Sequence, residues 1–154
     1  MKKIIVVSDN HGDDEILDII KNNENDADCY IHLGDSETNN IHLLDDFIAV
    51  SGNNDWMIDL PNAIILEIEN LRFLLTHGQR FGYFDKEERM YHVLEENDCD
   101  VLLSGHTHIP NYTEYKDKIM INPGSTSWPR GGSNASYAVL FINNNKIECK
   151  FINI

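Results

Sequence analysis

The chain has 154 residues, 42% hydrophobic and 25% charged, which predicts one globular domain over 1–154 with a sizeable core. With 26 Asp and Glu against 12 Lys and Arg, the formal charge is −14, so the average surface repels duplex nucleic acid. No stretch approaches the roughly 18–20 apolar residues of a membrane span, and the short apolar run after Lys3 is too brief for a secretory core.

The predicted elements alternate. Ile4–Val7 is a β-branched strand that stops at Ser8-Asp9. A helix follows from about Asp13 to Asn22, with Ile16, Leu17, Ile19 and Ile20 forming its apolar side. Tyr30–Leu33 is the next strand and ends at Gly34-Asp35. Cys29 beside it, with Cys99 and Cys149, makes an odd and scattered set, as expected of reduced thiols in a cytoplasmic protein. Phe47–Val50 is a third strand and ends at Ser51-Gly52-Asn53. Ala63–Ile68 and Leu71–Thr76 form a hairpin about Glu69-Asn70. A second helix runs from Asp85 to Asn97, with Asp85 as its cap, Glu88 at N3, and Met90, Val93, Leu94 and Asn97 on one face. Val101–Ser104 is another strand, and Tyr112–Ile154 is β-rich, with turns at Lys116-Asp117 and Asn143–Asn145. The first half thus reads β-α-β-α-β followed by more strands, an α/β domain with two sheets or one large mixed sheet.

Polar residues fall at the strand ends. Asp9 and His11 follow the first strand, Asp35 the second and Asn53 the third. His77 follows the hairpin, and His106 and His108 follow Val101–Ser104. Open α/β sheets bind ligands at the carboxyl ends of their strands. Taken singly, Asp9 reads as a helix cap, and Asp35 and Asn53 as turn residues. Together those readings need a coincidence at every strand end. Three carboxylate or amide groups and four imidazoles are enough to hold two divalent metals, and the mix suits manganese, iron or zinc better than calcium or magnesium. In "SGHTHIP" (104–110), an extended backbone would point His106 and His108 to the same side.

The motifs "SDNHG" (8–12), "GD" (34–35), "GNND" (52–55), "THG" (76–78) and "GHTH" (105–108) resemble the series of the calcineurin-like metallophosphoesterases. The likeness is greatest to the small single-domain YfcE-type phosphodiesterase group, which "INPGS" (121–125) and "PRGG" (129–132) also resemble. The resemblance implies a two-sheet sandwich flanked by helices. It implies that Asp9, His11 and His108 hold a first metal, that Asn53, His77 and His106 hold a second, and that Asp35 bridges both. Manganese is the first expectation, with iron, zinc, nickel or cobalt as others. Asp35, Asn53 and His77 are expected at the catalytic centre.

The implied function is hydrolysis of a small phosphodiester. Two metals roughly 3.5–4 Å apart share a water, lower its pKa and clamp both oxygens of an in-line displacement. No nucleophilic side chain is needed. A phosphomonoesterase on the same site, or a non-catalytic protein-binding scaffold like the retromer subunit of this fold, are the alternatives. Asn54 departs from the histidine or cysteine common in relatives and cannot act as an acid near neutral pH. That favours good leaving groups. Thr38 stands where relatives often have aspartate, and Gln79 where close relatives have histidine. Asp55 or Asp13 are candidates to orient the imidazoles. Arg80 and Arg130 are candidate phosphate contacts, and Tyr83, Phe84 and Trp128 candidate pocket walls. His32 reads as structural and His92 as a surface residue.

Overall fold

The computed structural model describes all 154 residues. Its strands are β1 (Lys2–Val7), β2 (Cys29–His32), β3 (Phe47–Ala49), β4 (Ala63–Ile68), β5 (Leu71–Thr76), β6 (Val101–Leu103), β7 (Pro110–Tyr115), β8 (Lys118–Pro123), β9 (Ser136–Asn143) and β10 (Lys146–Asn153). Two helices, α1 (Glu15–Asn23) and α2 (Lys86–Glu96), complete the fold. The strands form two mixed five-stranded sheets, ordered β10-β9-β1-β2-β3 and β4-β5-β6-β8-β7. This is the two-sheet α/β arrangement that the resemblance implied.

The first sheet is parallel across β1, β2 and β3, and β9 joins it antiparallel to β1. In the second, β5, β6 and β8 run parallel. Strand alternation explains why β1 is apolar throughout. Ile4 and Val6 enter the core between the sheets, beside Phe73, Leu75, Val101 and Leu103 of the second sheet. Ile5 and Val7 face the other way, onto Ile16, Leu17 and Ile20 of α1. On the far side, Met90 and Leu94 of α2 cover Leu74 and Leu102. The core therefore has three layers of contact, and both sheets are covered on the faces that carry the parallel strands.

Several local expectations change. Only a short 3-10 turn, Ile41–Leu44, links β2 to β3, where the alternating pattern called for a helix. Asp9 does not cap α1; Asp14 occupies that position and makes no side-chain capping bond. Asp85 precedes α2 in a left-handed conformation, also without a capping bond. Glu88 turns outward instead, to Tyr115 and Lys116. The capping-box spacing is present, but tertiary partners claim the carboxylate. No helix is long and apolar enough to cross a membrane.

Candidate metal centre

The carboxyl ends of β1, β2, β3, β5 and β6 converge, and the loops leaving them bring all seven predicted site residues together. The turns are tight. Asp9, His11, Asp35, His106 and His108 have φ of 57°, 43°, 58°, 74° and 65°. Residues other than glycine seldom adopt this region, although Asp, Asn and His are its commonest occupants. Such conformations persist where the surrounding structure fixes them, and they concentrate at functional sites. His106 and His108 are thus not extended, which corrects the same-side expectation. His106 turns towards Asn53 and His77, and His108 towards Asp9 and His11.

Close approach between loops requires glycine at two points. A Cβ on Gly105 would strike Ser8 Oγ and Asp9 Oδ2, and one on Gly52 would strike the Asp35 backbone and carboxylate. Backbone bonds sew the loops together: Asp9 N–H to Gly34 O, His11 N–H to Asp35 O and Gly105 N–H to His77 O, each 3.0 Å.

Asp9 is fully buried. Its Oδ2 accepts from the Ser8 hydroxyl at 2.7 Å and from the His106 N–H at 3.0 Å. Its Oδ1 has no hydrogen-bond partner. That oxygen lies 3.3 Å from His108 Nε2 and 3.7 Å from the Nε2 atoms of His11 and His77. Asp35 accepts from the Asn54 N–H at 2.9 Å and from the Asn54 side-chain amide at 3.1 Å. Its Oδ2 stands 3.2 Å from His77 Nε2 and 3.8 Å from His11 Nε2. Both carboxylates therefore reach both sets of imidazoles.

The imidazoles are oriented from behind. His77 Nδ1 donates to the Leu33 carbonyl at 2.7 Å, and His108 Nδ1 to the Trp128 carbonyl at 2.7 Å. His11 Nδ1 meets Glu37 Oε1 at 2.6 Å. A carbonyl only accepts, so His77 and His108 carry a hydrogen on Nδ1 and turn Nε2 towards the centre. His11 Nε2 and His108 Nε2 face one another at 3.2 Å. A proton shared between the two rings fits that spacing, and so does a cation held by both. Ligand atoms about 2.1 Å from one ion stand about this far apart. His106 differs: its Nδ1 lies 3.2 Å from Asn53 Oδ1, and its ring stands edge-on to His77 at 5.2 Å.

The electrostatics agree with a cation site. Burial works to raise the Asp9 carboxyl, but His108, His11 and His77 hold it far below the ordinary carboxylate range. Asp35 is likewise lowered, against its burial, chiefly by His77. Asp9, with Glu37 assisting against burial, raises His11 to about 9. Burial, then the charge of His77, pushes His106 down. Asp9 with His11 and His108, and Asp9 with Asp35 and His77, each form a compact group able to take a metal. The buried, unpartnered Asp9 Oδ1 and His77 Nε2 fit the same conclusion, because buried polar atoms are otherwise hydrogen-bonded or ligate metal.

The surrounding residues differ from the expected ones. Neither Asp55 nor Asp13 orients an imidazole. Buried Asp55 accepts from the backbone N–H groups of Asp35, Gly52 and Glu37 at 2.7, 2.7 and 2.9 Å, and so ties two ligand-bearing loops together. The Asp13 carboxylate meets only the Ser127 hydroxyl, at 3.4 Å. Glu37, Ser125 and the Trp128 carbonyl were not singled out by the sequence, and neither was Trp56, whose indole N–H donates to the Asn53 carbonyl at 2.9 Å. Ser125 Oγ donates to the Asp9 carbonyl at 2.6 Å and accepts from the Trp128 N–H at 2.8 Å. His32 is buried, with Nε2 on Asn10 Oδ1 at 2.7 Å and Nδ1 accepting the Gly34 N–H. Arg80 lines a separate cavity between β4, β5 and α2. Arg130 is exposed. Tyr83 and Phe84 are exposed before α2, and of the three candidate aromatics Trp128 is the one stacked on a site residue.

A family model of the calcineurin-like phosphoesterase superfamily domain matches residues 1–145. The chain is 35% identical over 150 residues to the probable metallophosphoesterase YsnB of Bacillus subtilis, covering 96% of this chain and 89% of that protein. It is 38% identical over 102 residues to the phosphodiesterase YfcE of Escherichia coli K12, covering 60% of this chain and 51% of that one. A crystal structure of a predicted phosphoesterase from Streptococcus pneumoniae TIGR4 superposes with a TM-score of 0.88 at 29% identity, over 99% of this chain and 89% of the other. The chain belongs to the calcineurin-like phosphoesterase superfamily. Membership and the Asp/His cluster together mark it as a metallophosphoesterase, a phosphoric ester hydrolase that works with divalent metal.

Proposed function

We propose that the protein is a dinuclear-metal phosphodiesterase that hydrolyses a small phosphodiester, as one cytoplasmic domain over 1–154. Asp9, His11 and His108 would hold the first metal, Asn53, His77 and His106 the second, and Asp35 would be shared. The observation that carries this reading is the pair of buried, unpartnered donor atoms, Asp9 Oδ1 and His77 Nε2, 3.7 Å apart at the meeting of the two groups. The donor set suits manganese first, with iron, zinc, nickel or cobalt as substitutes.

When bound, the metal pair supplies Lewis-acid polarisation of the phosphoryl oxygens and lowers the pKa of water. The chain does the rest. Leu33, Glu37 and the Trp128 carbonyl fix the tautomers of His77, His11 and His108. Asn54 fixes both Asp35 oxygens through its backbone and side-chain N–H groups. Asn53 turns its Oδ1 to His106, which leaves its amide N–H groups for a phosphoryl oxygen. Asn54 has no proton to give near neutral pH, so the leaving group departs without its help, and substrates with acidic leaving groups react fastest.

The test is hydrolysis of bis(p-nitrophenyl) phosphate by metal-stripped protein with and without Mn²⁺, beside the monoester p-nitrophenyl phosphate. The expected result is Mn²⁺-dependent turnover that favours the diester and is abolished in His106→Ala. Preference for the monoester would transfer the reading to a phosphomonoesterase. Absence of turnover with Mn²⁺, Ni²⁺, Co²⁺ and Zn²⁺, in protein shown to be folded, would overturn it in favour of a binding scaffold.

A further inference from the structure

The chain has two tryptophans, and both lie outside the core. Trp56 is 83% exposed and Trp128 56% exposed. Each is pinned to the metal centre: Trp56 through its indole N–H on the Asn53 carbonyl, Trp128 by ring and backbone together. The Trp128 ring lies flat on His11, with centroids 4.6 Å apart and planes 6° apart. Its carbonyl receives the His108 Nδ1 hydrogen at 2.7 Å, and its N–H is held by Ser125 Oγ. One face of the indole is thus covered by a proposed metal ligand, and the ring is left more than half exposed. An indole offers a large apolar surface and gains most when covered. A ring held rigidly open beside the site, by stacking on one face and by its backbone on both sides, keeps the other face for something else. Ligand sites combine a few polar groups with such apolar walls.

We propose that Trp128 is a stacking platform for the substrate, and that the substrate carries a flat aromatic group, a nucleobase or an aryl ring, close to its phosphate. This rests on the phosphoesterase reading, since the phosphate must sit at the metals for the ring to reach Trp128. The −14 charge disfavours a long polynucleotide and leaves a mononucleotide-sized ester as the fitting case. Stacking reads the face of the ring, so discrimination among bases is weak.

Side-chain substitution isolates the ring, because the carbonyl that orients His108 is backbone and stays. Mn²⁺-loaded protein is titrated calorimetrically with adenosine 5′-monophosphate, phenyl phosphate and ribose 5-phosphate. The expected result is that the nucleotide binds more tightly than ribose 5-phosphate by roughly 5- to 150-fold, the span of base stacking on an aromatic side chain. Trp128→Ala should collapse that ratio towards one, and Trp128→Phe should keep most of it. Phenyl phosphate that binds as tightly as the nucleotide would assign the platform to aryl esters, and one that binds like the sugar phosphate to nucleosides. Equal binding of nucleotide and sugar phosphate in the unaltered protein overturns the proposal. So does an equal weakening of both ligands in Trp128→Ala, which would mark Trp128 as a support for His11 alone. Diester turnover with no base preference sinks this inference and spares the enzyme reading. A base preference without turnover keeps Trp128 as a stacking face for a bound nucleotide and sinks the enzyme reading, and with it the assignment of that nucleotide as a substrate.

Discussion

The two halves of the centre are built differently. In the Asp9, His11 and His108 half, both imidazoles are anchored through Nδ1, one on Glu37 and one on the Trp128 carbonyl. Trp128 also stacks on His11, and Ser125 ties its loop to the Asp9 backbone. In the other half, His77 is buried and held by Leu33, but Asn53 is exposed and His106 half-buried, and the Nδ1 of His106 meets only Asn53. The first half is held by neighbouring groups at each imidazole, and the second relies on two more exposed side chains. Ordering costs side-chain entropy. Two sites made from nearly the same residue types should therefore differ in affinity.

Asp9→Asn breaks the comparison most completely. Its Oδ1 reaches imidazoles of both halves, so the variant should lose metal from both. The loss of several kcal/mol of charge stabilisation corresponds to a fall in turnover of about 10³-fold or more, measured on bis(p-nitrophenyl) phosphate at fixed Mn²⁺.

Glu37→Ala sharpens the comparison, because Glu37 serves one half only. Removal of a group that orients a metal-binding histidine weakens affinity by roughly 10- to 100-fold. Calorimetry should show that loss in the tighter of two binding events and leave the weaker one in place.

The smallest effect concerns what lies beneath the first half. His32 supports Asn10, between Asp9 and His11, and burial holds its pKa down at about 4. The unfolded chain takes up a proton near pH 6.5 that the folded protein refuses. The His32 contribution to stability is thus fully present above that pH and lost as pH falls towards about 4, at roughly 2 kcal/mol by pH 5. Urea unfolding of metal-free protein at pH 7 and pH 5 measures it, and His32→Asn should be less sensitive to that change.

The strand ends were legible because a β-branched run that stops at Gly, Ser or Asp marks its own boundary, and the seven polar residues sit just past those boundaries. The hairpin at Glu69-Asn70 and the β-rich tail were legible for the same reason. The orientation of "GHTH" was not. Periodicity assumes an extended backbone, whereas both histidines have positive φ beside the tightly packed Gly105 and turn to different halves. Glu37, Ser125 and the Trp128 carbonyl were invisible for another reason. They act across long sequence separations, one through a backbone oxygen, and no local spacing encodes that. Asn54 stood out as a missing acid, and only its contacts show it fixing Asp35.

The most direct measurement is calorimetric titration of metal-stripped protein with Mn²⁺, repeated on His106→Ala and His108→Ala. Two equivalents per chain with separable affinities are expected. His108→Ala should lose the tighter event, and His106→Ala should keep it and lose the weaker. A single equivalent in the unaltered protein, or two equivalents that neither substitution touches, would contradict a centre made of two unequal halves.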